Sequence, residues 1–184
     1  MKKLLLALAA AAVAGSVHAG GFASVDLEQV KDSKTRATSN AQYVRFGTDV
    51  AGLDVGVQAR TQVWDKGGMV NSLEATVGKG FKVLGVPVTP FVGVGHDNGF
   101  NGRDGGSFQY GLVGASTGAK VGPFYGFAGV KTRANWEKSA PEQTVGFVGL
   151  SYPLTKTVSV NAGGSKSWGD IKESAYGLGV RVGF

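Results

Sequence analysis

A hydrolytic triad needs a hydroxyl nucleophile, an imidazole base and a carboxylate to orient it, and the sequence sets His96 beside Asp97 with Ser107 a short way downstream. Past the first nineteen residues His96 is the sole histidine. Neighbours in an extended strand point to opposite faces, so His96 and Asp97 share a site only if the chain bends between them. The reading is that no catalytic site is present. From the same aspartate, the run Asp97-Asn98-Gly99-Phe100-Asn101-Gly102-Arg103-Asp104 spaces oxygen ligands as a calcium loop begins, with glycine sixth in the run. The twelfth position is Phe108, where such a loop needs a bidentate carboxylate. A Gly-rich mobile loop is the preferred reading, and neither a metal nor a cofactor is expected. Cysteine is absent, which excludes thiolate sites and disulfides, and no glycine falls in a phosphate-binding motif.

A second group of chemistry-bearing residues alternates with apolar ones. Asp54, Gln58 and Arg60 interleave with Leu53, Val55, Val57, Ala59, Thr61 and Val63, while Asp26, Arg45, Glu74 and Arg181 each stand between two apolar neighbours. Period two puts the two sets on opposite faces of a strand. A face carrying both signs of charge is a polar lining, and the expected lumen-lining residues are Asp26, Arg45, Asp54, Gln58, Arg60, Glu74 and Arg181. Pairing the strands by their turns puts Arg60 roughly opposite Glu74, and Arg181 near Asp26. Gly56, Gly93, Gly95, Gly111, Gly177 and Gly179 are read as inward positions that leave room for water.

The elements that hold these residues are strands. The same alternation recurs around Val25 and Leu27; Val44, Phe46, Thr48 and Val50; Leu73, Ala75 and Val77; Val88, Val92 and Val94; Phe108, Tyr110 and Leu112; Phe124, Ala128 and Val130; Val148, Leu150 and Tyr152; and Val158, Val160 and Ala162. In the segments around Phe124 and Val148 the face assignment stays open, because Tyr125, Phe127 and Phe147 put bulk on the other side. Short turns are expected at Ala51-Gly52, Leu84-Gly85, Thr117 to Gly122 and Pro153 to Lys156. Longer polar connections fall between them, at 30–40, 65–70, 97–106, 135–143 and 168–173. With the final segment this makes ten strands, and eight remain possible if the first hairpin is merged or discarded. Pro90 removes a ladder donor within the fifth strand, so a bulge is expected there. Trp64, Trp136 and Trp168, where strands meet the longer loops, together with Tyr152, are read as an aromatic girdle.

Lys2 and Lys3, an apolar stretch from Leu4 to Gly15, and Val17-His18-Ala19 form a leader with a small-residue cleavage site, so residues 1–19 are expected to be removed and 20–184 to form one domain. About twelve apolar residues are too few for a spanning helix, which needs about 20. Beyond the leader the longest stretch without a formal charge, Gly105 to Ala119, is rich in glycine, serine and threonine. Glycine makes up 31 of 184 residues, far above the usual share of roughly 7%, which would weaken helices throughout. Two of the 19 basic residues lie in the leader, leaving a mild, scattered excess over 13 acidic residues. That argues against a nucleic-acid surface.

Strands with one apolar face are stable in lipid only when every edge is paired, and closure into a barrel does that. The alternative is an exported β-sandwich, whose apolar face would carry larger core residues. The final segment favours the barrel: Tyr176, Leu178, Val180, Val182 and Phe184 alternate with small or charged residues and end the chain on an aromatic ring. It resembles the closing strand of Gram-negative outer-membrane β-barrels, in which that pattern is the signal read by the barrel-assembly machinery. The resemblance implies an all-β fold, a single closed antiparallel up-and-down transmembrane barrel in the outer membrane, of the small porin-like and structural kind. The function it implies first is passive passage of small hydrophilic solutes through a narrow polar lumen. A non-conducting structural or surface-interaction barrel is the second reading, and an outer-membrane enzyme a distant third. Expected partners are outer-membrane lipids and lipopolysaccharide, whose phosphates would meet the loop cations Lys31, Lys34, Arg36, Lys66, Arg103, Lys138 and Lys172. The oligomeric state and the solute are left open.

Overall fold

A computed structural model describes residues 20–65, 67–98, 106–136 and 141–184. The leader 1–19, most of the calcium-like run and the loop residues Lys66, Arg103 and Lys138 lie outside them. The described chain is all β, with strands β1 (Gly21–Asp32), β2 (Thr38–Val50), β3 (Leu53–Trp64), β4 (Met69–Gly78), β5 (Phe81–Val83), β6 (Val86–Asn98), β7 (Ser107–Val121), β8 (Phe124–Asn135), β9 (Gln143–Pro153), β10 (Val158–Gly169) and β11 (Glu173–Gly183). Each pairs antiparallel with its sequence neighbour, apart from β4 and β5. β4 pairs with β6, and β1 pairs with β11 from Phe22↔Gly183 to Asp32↔Glu173. The ring is thereby closed, and β5 continues the line of β4 along β6 as an extra piece, giving ten barrel strands.

Pro90 produces no bulge. Gly78 pairs with Phe91 and Phe81 with Val88, which is one unbroken register on either side of Lys79 and Gly80. The N–H and C=O of a residue in an antiparallel ladder point to the same neighbour, and Lys79 N donates to Pro90 O at 3.2 Å. The proline therefore withholds the donor that the Lys79 carbonyl would receive, and the ladder lapses for two residues without gaining one.

Following the ladder from Phe22 leads through Gly47, Gly56, Thr76, Gly93 and Leu112 to the level of Arg133, Gln143 and Gly169. The path regains β1 near Lys34, about twelve residues from its start, a stagger that tilts ten strands by ~40° in the usual range for such barrels. Two-residue turns occupy one rim: Ala51-Gly52 and Leu84-Gly85 have positive φ at both positions, and Gly122 has φ 59° before Pro123. These are the hairpin conformations that match strand twist. β7 runs on to Val121, so the third of these turns is shorter than its Thr117 to Gly122 signal.

Val25, Leu27, Val57, Leu73, Val92, Val94, Val148, Leu150, Leu178 and Val180 are exposed on the outer face, forming an apolar band. Strand β7 departs from the expected assignment. Phe108, Tyr110 and Leu112 are buried as the hydrophobic core, with Phe91 against them, and Gln109 and Val113 face outward. Gly111 is outward too, beneath the Trp136 indole.

Aromatic rings lie on glycines of the neighbouring strand in several places. Phe22 pairs directly with Gly47, Phe91 with Gly114 and Tyr110 with Gly95, and in each pair the ring occupies the space a Cβ would need. Between β8 and β9 the arrangement is reciprocal: Phe127 faces Gly149 and Phe147 faces Gly129. Close approach of ring to backbone requires glycine there. Gly179 lies against the Asp26 carboxylate and Gly93 against the Ala75 carbonyl, so these two serve packing where room was expected, whereas Gly56 and Gly177 line the open lumen.

Candidate functional site

The lumen holds a cavity of about 540 Å³ lined by Asp26, Arg45, Asp54, Gln58, Arg60, Glu74 and Arg181, and also by Lys131, Arg133 and Glu173. The pairings differ from those expected. Across the β3–β4 hairpin Glu74 pairs with Gln58 and Arg60 with Ser72, so Arg60 and Glu74 are offset by one inward position. Across the seam Arg181 pairs with Ser24, and Asp26 with Gly179. Arg60, Glu74 and Asp26 each pair with another charge instead.

Asp26 on β1 accepts from Arg45 Nη1 at 2.6 Å and from Ser24 Oγ at 3.0 Å. Arg45 Nε donates to Gln58 Oε1 at 2.8 Å, and Gln58 Nε2 reaches Glu74 Oε2 at 3.4 Å. From Glu74 the network leaves the sheet surface. Lys131 Nζ binds its Oε2, and Arg133 Nη2 lies 3.5 Å from its Oε1. Arg133 Nη1 donates to Asp97 Oδ2 at 2.8 Å, and the guanidinium stacks 4.2 Å from the centre of the Tyr110 ring. Tyr110, with no exposed surface, donates from its hydroxyl to Glu74 Oε1 at 2.9 Å. Because β8 is three strands from β4 around the ring, the Glu74 contacts form a chord across the interior. Arg60 and Glu173 form a second chord, 3.6 Å between β3 and β11, where Gln62 binds Arg60 and donates to Ser39 at 2.7 Å.

Burial grades along the barrel axis. Inward residues toward the longer loops are closed off, Val30 at 1%, Gln62 at 2% and Asp97 at 3% exposed. Inward residues toward the short turns stay open, Tyr125 at 48% and Asp54 also exposed. Among the described residues the lumen is therefore a cup: its floor is the pair of chords and its mouth lies at the short-turn rim. Both chords join opposite charges, so the buried floor carries little uncompensated charge.

Trp64 is no part of a girdle. It lines a small pocket of about 20 Å³ with Arg60, Arg133, Val70 and Ile171, on the inner side above the floor. Trp136 and Trp168 are exposed on the outer face, over Gly111 and Gly146. Tyr152 sits at the opposite rim against Phe124, 5.4 Å between ring centres. Tyr176, Leu178, Val180, Val182 and Phe184 are exposed along the outer side of the closing strand. His96 faces outward and Asp97 inward, so no site holds both, and the Asp97 carboxylate is engaged by Arg133. Sequence reasoning missed Lys131, Arg133, Asp97, Tyr110 and Glu173 as interior polar residues. For β8 the signal was present, since Lys131 and Arg133 alternate with Val130, Thr132 and Ala134.

No protein-family model and no curated protein matches the chain. Among solved structures it is similar to the β domain of the Bordetella autotransporter BrkA, at 12% identity and a TM-score of 0.55, covering 89% of this chain and 98% of that one. Neisserial surface protein A aligns at 18% identity and a TM-score of 0.46, covering 90% and 97%. Outer membrane phospholipase A of Escherichia coli aligns at 13% identity and a TM-score of 0.45, covering 88% and 89%. The fold is that of the outer-membrane β-barrels.

Proposed function

We propose that this chain is an outer-membrane barrel that does not conduct, a structural or surface-interaction protein whose lumen is sealed toward the longer loops. The observation that carries the reading is the chord from Glu74 to Lys131 and Arg133, tied through Arg133 to Asp97. Moving a hydrated solute past it would strip paired charges that are already out of water, and breaking such a pair costs several kcal/mol, about 3–5. The apolar outer band and closed edges suit lipid, and the exposed Tyr176-to-Phe184 side of β11 suits recognition by the assembly machinery. Lys31, Lys34, Arg36 and Lys172, exposed at the loop rim, suit lipopolysaccharide phosphates. Passage of small hydrophilic solutes is the competing reading, favoured by the cavity volume. Proteoliposome swelling separates them: in isosmotic arabinose, vesicles carrying the barrel should swell no faster than empty ones. Rapid swelling with the wild type overturns the sealed reading in favour of a porin.

A further inference from the structure

Among the described residues, ten charged side chains line the lumen cavity, and eight of them are in ion pairs. Among the described residues Asp54 and Arg181 have none, and the two differ in setting. Asp54 is exposed at the mouth, whereas Arg181 is half-buried, with its guanidinium carbon 3.6 Å from the centre of the Phe22 ring. Its ladder partners are Ser24 and Ser159, which carry no charge to answer it. The same half of the cavity is lined by Phe91, Tyr125, Phe127 and Phe147. Rings held in place by glycines opposite them make a preformed apolar wall, since a side chain stacked on backbone has little freedom to collapse inward.

The geometry points to a binding chamber in the open half of the lumen for a small amphipathic monoanion, its apolar body among the phenylalanines and its anionic group on Arg181. The inference rests on the proposed reading of the lumen as a cup sealed toward the longer loops. A cation that is partly desolvated and lacks a carboxylate gains more from an incoming anion than a solvated one does. One unpaired cation in the apolar half sets the charge at one. The wall requires that the anion carry an apolar body, and the volume suits a ring system or short chain. Entry is from the short-turn rim, where the lumen is open.

The test uses the full barrel in nanodiscs of zwitterionic lipid, titrated with 1-naphthalenesulfonate by calorimetry against empty nanodiscs. The wild type should bind it saturably with one site. Arg181→Gln should weaken binding by roughly tenfold or more, as expected for loss of a hydrogen bond to a charged group. Arg181→Lys, which keeps the charge, should fall between the two. Neutral 1-naphthol should bind all three proteins equally weakly. Heat-shifted gel migration of each variant certifies that it has folded. Absence of saturable binding, equal affinity in Arg181→Gln, or naphthol binding as tightly as the sulfonate overturns the chamber. Swelling is a separate readout: a barrel that binds but swells vesicles refutes the seal alone, and one that neither swells nor binds refutes the chamber alone.

Discussion

Arg133 illustrates how one residue sets the character of a lumen. Its side chain is 5% exposed and meets two acids, Asp97 and Glu74, so it offsets charge that would otherwise be buried on the far side of the ring. Removing one member of a buried pair leaves its partners uncompensated, which costs about 3–5 kcal/mol. Arg133→Ala should therefore lower equilibrium stability in urea by that order. Arg133→Met combined with Asp97→Leu removes both charges and should recover most of the loss, Glu74 keeping Lys131. A single variant within about 1 kcal/mol of wild type would mean that water reaches the network, as at a surface ion pair. Arg60 and Glu74 make a related point about prediction. Their inward positions follow from period two, but their separation depends on how many residues the turn before Met69 consumes, and a shift of one inward position changes every partner.

At the scale of elements, the β8–β9 hairpin is fastened by exchange of ring and glycine. Gly149→Ala sets a methyl where the Phe127 ring lies and should destabilise by about 1–3 kcal/mol. Adding Phe127→Ala should relieve the clash, giving a coupling energy of about 1 kcal/mol or more in a double-mutant cycle; additive losses would show that the ring does not rest there. Pro90→Ala restores the donor facing the Lys79 carbonyl, and should strengthen the barrel by about 0.5–1.5 kcal/mol, with the new amide at position 90 protected from exchange. Rapid exchange of the new amide at position 90 would count against the assigned cause of the ladder's lapse. Strand number, closure and the short turns were legible because alternation and turn chemistry are local. Which face of β7 is inside was not legible. Alternation says that Phe108, Tyr110 and Leu112 share a face, and a lumen packed with apolar residues near its floor makes that face look like one meant for lipid. The chords were hidden for another reason: which strands face each other across a ring depends on its circumference and stagger, quantities fixed only when the whole barrel is paired.

At the scale of the molecule, closure and tilt turn a repetitive sequence into two unlike compartments. Stagger of about twelve residues brings inward residues distant in sequence to one level, such as Glu74 on β4 and Lys131 on β8. One end becomes a dry, charged floor and the other an aromatic mouth. On the proposed reading such a barrel holds an interior without offering a path through it, and the floor is the part that decides. Single-channel recording in a planar bilayer tests this most directly. The wild type should give no steady current steps above the bare membrane, and the double variant Arg60→Ala with Arg133→Ala, which removes a cation from each chord, should give discrete open levels. Steady ohmic steps from the wild type, unchanged in size by the double variant, would contradict the sealed lumen.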